Sequence, residues 1–257
     1  MIRRLRLATW LPPLVALALL VLVWQLVALH EPPHAVATVP ATLSELADQP
    51  GMFASNALVT LQEVAVGLAT SFAVAFALAV AMVHVEVVER AVMPLAVALN
   101  VTPVIAYAPG LVFLLGFGIA PRYVVTAIVV FFPFLVNSLV GLRSVDPRAL
   151  DLFRTLDASR REVLVRLRLP SSLPFLFAAA RICLPLSVVG AVVAEFTTSG
   201  SDAGLGSVIA SANQQLEIPV IYASIIVLAA LGLALTLAVS LVERRVLSWH
   251  PSRSRSR

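Results

Sequence analysis

The sequence contains no lysine, a single cysteine and few charged residues. All 18 basic residues are arginine, and charged residues make up 12% of the 257 positions, against about 25% in a typical globular domain. Without lysine the chain has no P-loop lysine, no Schiff-base lysine and no lysine general base, which excludes those classes of enzyme. Cys183 lies in an apolar stretch, and we interpret it as a packed residue of a helix interior.

Apolar residues are what the sequence has in excess. They make up 60% of the chain, which is more than one soluble core of this size can bury, and the mean hydropathy of +0.98 agrees with this excess. A membrane helix needs about 20 mostly apolar residues, and six segments qualify. We therefore predict an all-α, polytopic membrane protein with one transmembrane domain over residues 1–257. The predicted spans lie at about residues 10–29, 57–83, 91–115, 124–142, 174–196 and 220–241.

The arginines indicate how the six spans are oriented. In this arrangement 17 of the 18 arginines fall on one side, and Arg122 falls on the other. The positive-inside rule makes the arginine-rich side cytoplasmic, so we predict that both termini are cytoplasmic. A cleaved signal peptide is the alternative for the first span, because Ala35-Val36-Ala37 resembles a cleavage site. The apolar run of about 20 residues is longer than the core of a signal peptide, so we predict an uncleaved span. Topology accounts for the basic pI, and no nucleic-acid partner is predicted.

Three loops stand out between the spans. The outer loops, residues 30–56 and 197–219, could meet an external partner, but their composition favours plain connections. The cytoplasmic loop, residues 143–173, instead carries two predicted helices. The first has an apolar face at i, i+3, i+4 and i+7, formed by Ala149, Leu152, Phe153 and Leu156. Ser159 and Glu162 fit a capping box that starts the second helix, and Pro170 is predicted to end it. The exposed apolar face needs either the lipid interface or a groove on another protein.

The same cytoplasmic loop resembles a known motif. The run Asp151-Leu152-Phe153, then Asp157 after three residues, then Leu167-Arg168-Leu169-Pro170 after nine more, is similar to the EAA loop of binding-protein-dependent ABC importer permeases. That motif has Glu-Ala-Ala, Gly and Ile-x-Leu-Pro at the same spacing. Weaker tags resemble the nitrate/sulfonate/taurine class of these permeases, with one run similar to permeases for pyrimidine precursors of thiamine. They are Leu115-Gly116-Phe117-Gly118, Ala194-Glu195, Gly204-Leu205-Gly206, Glu243-Arg244-Arg245 with Trp249, and, for the pyrimidine branch, residues 189–196.

The resemblance implies a type I ABC importer permease in a bacterial plasma (inner) membrane. Two permease chains, expected to be a homodimer, would enclose a path for a small solute that an external solute-binding protein delivers. Cytoplasmic P-loop ATPase subunits would hold ATP and Mg²⁺, so this chain is expected to bind no cofactor and to catalyse no reaction. The solute class would be an organosulfur or nitrogen compound, such as a sulfonate or taurine, or a pyrimidine precursor. A secondary transporter and a non-transporting membrane anchor remain the alternatives.

The resemblance also assigns roles to residues of the cytoplasmic loop. The expected ATPase-coupling residues are Ala149, Asp151, Leu152, Phe153, Leu156, Asp157, Ala158, Ser159, Leu167, Leu169 and Pro170. Asp157 stands where the family has a glycine in a turn, and it tolerates a left-handed conformation better than most residues. Phe153 replaces a small alanine, so we expect a roomier groove and a dedicated ATPase partner.

Few polar groups lie within the predicted spans. The candidates for lining or gating the path are Glu195, Asn100, Asn137 and Pro103. An intramembrane carboxylate is a functional candidate by default, and a proline frees backbone carbonyls that can line a cavity. For the two asparagines, helix–helix hydrogen bonds are an equal alternative. For Glu195, a hydrogen bond to a neighbouring loop is the structural alternative. Glu63 is expected to reach the membrane interface, and no buried cation is expected in the cavity. The four histidines show no metal-ligand spacing, and no metal site is predicted.

Overall fold

The computed structural model describes residues 2–32, 35–198 and 203–246, and Trp249 with the last three arginines lies outside them. Within these ranges the chain is helical and contains no strand. The helices are α1 (Ile2–His30), α2 (Val39–Asp48), α3 (Pro50–His84), α4 (Glu86–Val101), α5 (Val104–Leu115), α6 (Ile119–Arg143), α7 (Pro147–Thr155), α8 (Arg160–Val163), α9 (Leu169–Thr197), α10 (Leu205–Gln215) and α11 (Ile218–Val246), with a π-helical turn at Leu164–Arg168 between α8 and α9.

Five helical segments in the described ranges are long and apolar enough to cross a membrane. They are α1 from Leu11, α3, α6, α11, and the continuous helix Arg160–Thr197 that contains α9. The predicted third span, 91–115, is wrong as a continuous helix, because α4 and α5 meet at an angle of 107°. Pro103 has no backbone N–H and holds Thr102 extended, with a ψ of 124°, so the helix breaks between them. Counting this bent pair as one span makes six.

Both outer loops contain a helix that the sequence analysis missed. α2 lies within residues 30–56, and α10 lies within residues 197–219. At the start of α2, the Thr38 hydroxyl accepts a hydrogen bond from the backbone N–H of Ala41, and Pro40 occupies the first turn. Proline is favoured at the start of a helix, because the N–H it lacks would have no intrahelical partner there. The prolines of this segment therefore mark a helix start rather than a plain connection.

The core of the bundle is formed by α3, α6 and α9. Ala75 and Ala79 of α3 face Phe134 and Leu135 of α6, and Ala179 of α9 closes the cluster. Alanines at these positions let the helix backbones approach closely, which is how membrane helices gain packing energy in the absence of a hydrophobic drive. Cys183 lies in the same cluster and is fully buried, as the apolar interpretation requires.

The two terminal helices lie at the edge of this core. α1 is held near α11 by a stacked pair of rings, Trp24 and Tyr222, whose centroids are 5.4 Å apart. The indole N–H of Trp24 also donates to the backbone oxygen of Ala37 at 3.0 Å. Most leucines of α1 and α11 are exposed in a single chain, which is expected of helices that face lipid or a second chain.

Candidate functional site

The loop between α6 and α9, which the arginines predict to be cytoplasmic, presents an apolar face with nothing covering it in the described chain. α7 begins after Asp146, whose carboxylate accepts from the backbone N–H of Arg148 at 2.9 Å. None of its residues is buried: Leu152 and Leu156 are 58% and 68% exposed, and Phe153 is half-buried. Such an uncovered apolar face on a short helix is typical of a surface that binds another protein.

The turn after α7 has the geometry that the family motif assigns to glycine. The N–H of Ala158 donates to the oxygen of Phe153 at 3.0 Å, and the N–H of Asp157 donates to the oxygen of Arg154 at 3.1 Å. These two bonds form a Schellman motif, which requires a left-handed residue between them. Asp157 supplies it with a φ of 49°. The expectation that aspartate tolerates this turn is therefore confirmed.

The second half of the loop starts as predicted but does not end there. Ser159 and Glu162 form the predicted capping box, with the Ser159 N–H donating to Glu162 at 3.0 Å. The prediction that Pro170 ends this helix is wrong, because α8 runs through the π-helical turn directly into α9. A proline lacks an N–H and its ring crowds the carbonyl four residues earlier. The N–H of Leu169 bonds five residues back, to Leu164, so the wider turn makes room for Pro170.

The remaining predicted coupling residues are distributed along the same loop. Asp151 is exposed and pairs with Arg154 at 3.0 Å, a contact of little energetic weight at the surface. Leu169 is 36% exposed, and four others are half-buried: Ala149, Ala158, Leu167 and Pro170. Arg168 ties the loop to the bundle, since its guanidinium donates to the Leu142 oxygen at the end of α6 at 3.2 Å. The structure therefore places all of the predicted coupling residues on one segment that is anchored to α6 and continuous with α9.

At the opposite end of α3, α6 and α9 lies a buried polar cluster, which sequence reasoning missed. Arg122 of α6 and Glu63 of α3 form an ion pair at 3.2 Å, and their side chains are 1% and 0% exposed. One expectation is wrong here: the Glu63 side chain is fully buried against Arg122 and is not free at the membrane interface. A carboxylate and an arginine in adjacent apolar segments could have been paired from the sequence, because intramembrane charges almost always have partners.

Glu195 of α9 belongs to the same buried cluster. Its Oε1 accepts from the Thr60 hydroxyl at 2.7 Å, and its Oε2 accepts from the backbone N–H of Gly206. The side chain is 3% exposed, and its guanidinium neighbour Arg122 interacts with it electrostatically. Of the roles considered for Glu195, this geometry realises the hydrogen bonds to a neighbouring segment.

The other three path candidates are separate from this cluster. Asn137 is half-buried and donates to the Pro133 oxygen of its own helix at 2.8 Å. Asn100 and Pro103 are exposed beside the bend between α4 and α5. In the described ranges, no three His, Cys, Asp or Glu side chains come together in the manner of metal ligands.

Comparison with known proteins agrees with the resemblance of the loop. Residues 72–248 match the family described as the binding-protein-dependent transport system inner membrane component. The chain is 33% identical to the formylaminopyrimidine transport permease protein ThiX of Halalkalibacterium halodurans over 241 residues, which cover 93% of this chain and 96% of that protein. It is 31% identical to the taurine transport system permease protein TauC of Escherichia coli over 148 residues, which cover 58% and 53% of the two chains.

The solved structures give the same fold. An inward-facing structure of the MetNI methionine ABC transporter matches with a TM-score of 0.63 at 17% identity, covering 76% of this chain and 94% of that one. The family match does not support the secondary transporter or the non-transporting anchor. The chain has up to six apolar spans, if the bent pair α4 and α5 is counted as one, and a loop that resembles the family motif. It belongs to the binding-protein-dependent transport system inner membrane components and is a permease subunit of an ABC importer.

Proposed function

We propose that this chain pairs with a second copy of itself to form a solute path across the inner membrane. An external binding protein delivers the solute, and a separate cytoplasmic ATPase hydrolyses ATP with Mg²⁺. The path candidates Asn100 and Pro103 are exposed on the single chain rather than enclosed by it, which supports a path formed between two copies. In this proposal the permease itself binds no cofactor and catalyses no reaction.

The observation that carries the proposal is the uncovered apolar face of α7. Leu152 and Leu156 are held outward by a helix with a capped start and a Schellman end, so the face is preformed. Its partner is the ATPase, which receives Leu152, Phe153 and Leu156 in a groove. The loop continues into α9 without a break, so a movement of the ATPase is passed to the spans as a rigid-body rotation.

The orientation proposed for the chain places this loop in the cytoplasm. The loop, residues 143–173, carries seven of the 18 arginines, while Arg122, at the other end of α6, is buried and ion-paired. Both termini are then cytoplasmic, and α2 and α10 lie on the outer side. Maleimide labelling of cysteines introduced at Thr155 and at Gln215 in intact cells tests this orientation. Labelling at Gln215 alone is expected, and labelling at Thr155 alone would refute it.

For the solute we propose a small pyrimidine rather than a sulfonate. The pyrimidine permease ThiX matches nearly the whole chain, whereas the taurine permease matches 58% of it. A sulfonate is an anion, and the buried arginine Arg122 is already engaged by Glu63. Calorimetric titration of the partner binding protein with formylaminopyrimidine and with taurine decides between them. Binding of taurine but not of the pyrimidine would overturn the assignment.

The transport function is tested by reconstitution. The chain and its ATPase are placed in lipid vesicles, and ATP hydrolysis is measured with and without solute-loaded binding protein. Stimulation by the loaded binding protein, together with uptake of radiolabelled solute, is the expected result. A fully assembled complex that shows neither would sink the proposal. In the same preparation, the Leu156→Asp variant should lose the ATPase and, with it, the stimulated hydrolysis.

A further inference from the structure

The N-terminus of α10 is capped by other helices instead of by its own residues. The backbone N–H of Gly204 donates to the Asn56 side chain at 2.8 Å, and that of Leu205 donates to the Thr60 hydroxyl at 3.0 Å. The N–H of Gly206 donates to the Glu195 carboxylate. The first N–H groups of a helix have no intrahelical partner, so caps on α3 and α9 fix both the position and the direction of α10.

Glu195 is the charged member of these caps. A carboxylate at a helix N-terminus is favoured by the helix dipole, and its burial strengthens that interaction. The approach is so close that a Cβ added at Gly206 would lie 2.6 Å from Glu195 Oε2, and one added at Gly204 would collide with the same carboxylate. Gly204 also has a φ of 108°. The spacing of the glycines and the glutamate is therefore required by this contact.

Arg122 fastens the other side of the same segment to α6. Its guanidinium donates to the oxygen of Ala203 at 2.7 Å, to the Thr198 hydroxyl at 2.8 Å and to the Ser207 hydroxyl at 3.3 Å. It also pairs with Glu63 of α3. The start of α10 is thus bound to all three core helices through buried, charge-assisted hydrogen bonds.

The same core helices carry the cytoplasmic loop at their other ends. From Arg122 to Arg143, α6 rises about 32 Å at about 1.5 Å per residue, the thickness of the hydrocarbon core. There Gly141 approaches α9 so closely that an added Cβ would lie 3.0 Å from the Cβ of Ser172. α6 and α9 are therefore packed together at both ends, between α10 outside and α7 inside.

We propose that Glu195, through Thr60, is a positioning residue that fixes α10 to α3 and α9, so that contact of the external binding protein with α10 reaches the cytoplasmic loop as one rigid-body movement. This inference rests on the proposed function. The face of α10 available to the binding protein is polar and exposed at Ser211, Asn213 and Gln214. If α10 were free to move relative to α3 and α9, contact with the binding protein would displace α10 alone and would not stimulate the ATPase.

Thr60 allows a test with little risk to folding. Its hydroxyl both donates to Glu195 and accepts from the Leu205 N–H, so Thr60→Val removes both bonds while keeping the shape. Thr60→Ser keeps both bonds and is the matched control. In vesicles containing the permease and its ATPase, basal hydrolysis and hydrolysis stimulated by loaded binding protein are measured for both variants and for Glu195→Gln.

The expected result is a split between the two rates. Thr60→Val should lower the stimulated increment at least threefold with basal hydrolysis unchanged, Thr60→Ser should match the wild type, and Glu195→Gln should lower the increment as Thr60→Val does. Full stimulation in Thr60→Val would overturn the positioning role. So would a loss confined to Glu195→Gln, because that outcome indicates direct solute contact. A wild-type complex without stimulation would refute the proposed function itself, which is a different result from an unaffected variant.

A distance measurement reads the position of α10 directly. Spin labels at Ser211 on α10 and at Thr155 on α7 of the same chain, diluted with unlabelled chains, give one distance across the membrane in the wild type. Thr60→Val should broaden that distance distribution, while Thr60→Ser should not. An equally narrow distribution in Thr60→Val would contradict the inference, whatever the hydrolysis rates are.

Discussion

Replacing Arg122 by glutamine should destabilise the bundle more than any other single arginine change in the described spans. The substitution removes the cation from a site that holds two buried carboxylates, Glu63 and Glu195. It also removes the donor to the backbone oxygen of Ala203, on the segment before α10. Removing one partner of a buried pair costs about 3–5 kcal/mol. At about 1.4 kcal/mol per factor of ten, this is a loss of more than about 100-fold in the folding equilibrium.

The charge count predicts an asymmetry between the two partners of the pair. Glu63→Gln leaves Arg122 opposite Glu195, so one positive and one negative charge remain and the cost should be smaller than for Arg122→Gln. In the double variant the uncompensated charge of Glu63 is also gone. We therefore expect the double variant to be more stable than the sum of the single losses predicts, by about 0.5–3 kcal/mol.

Unfolding of the purified protein in mixed micelles by increasing SDS, followed by far-ultraviolet circular dichroism, measures these free energies. Arg90→Gln is the matched control, because Arg90 pairs with Glu86 at 2.7 Å while both side chains are about three-quarters exposed. That variant should unfold at the same SDS fraction as the wild type. If Arg122→Gln unfolded at the same SDS fraction as Arg90→Gln, or if the losses of the two single variants simply added in the double variant, the buried cluster would not stabilise the bundle as argued above.

Three further changes test the loop and the core. Leu156→Asp should abolish co-purification of the ATPase without changing thermal unfolding, because the side chain is 68% exposed; Leu156→Met should retain the ATPase, and retention in the aspartate variant would contradict the docking role. Asp157→Gly should raise the unfolding temperature, since glycine relieves about 1–2 kcal/mol of left-handed strain; an unchanged or lower temperature would argue against the turn. Gly67→Ala should cost about 1–3 kcal/mol by overpacking, because its Cβ would lie 2.5 Å from the Cγ2 of Thr126. Gly232→Ala meets nothing within 4 Å and is the control; equal stability of the two alanine variants would contradict the close approach of α3 and α6.

Local features of the cytoplasmic loop were predictable from short stretches of sequence. The capping box needs only Ser159 and Glu162 three residues apart, and the left-handed turn needs only a residue such as Asp157 after the last turn of α7. The consequence of Pro170 was not predictable in the same way. A proline ends a helix unless tertiary packing stabilises the helix on both sides of it. Here the packing of α9 on α6 favours a π-helical turn over a break.

The missed outer helices follow a related rule. α2 and α10 are short, with polar and proline-rich or glycine-rich starts, and neither has the length that identifies a membrane span. Their starts are also the places where sequence signals are most easily interpreted as loops. α10 in particular has no capping side chain of its own, because Asn56, Thr60 and Glu195 supply the caps from far away in the sequence.

The sequence by itself determined the membrane class, the apolar segments and the family-like loop, and the 17 of 18 arginines on one side predict the orientation. These properties depend on composition and on spacing within a few turns, which the chain carries without folding. Only the tertiary structure decided that Arg122 and Glu63, 59 residues apart, form a buried pair, and that Glu195 caps α10. The physical reason is that burial and charge pairing depend on which helices are neighbours, and that choice is made by the packing of α3, α6 and α9.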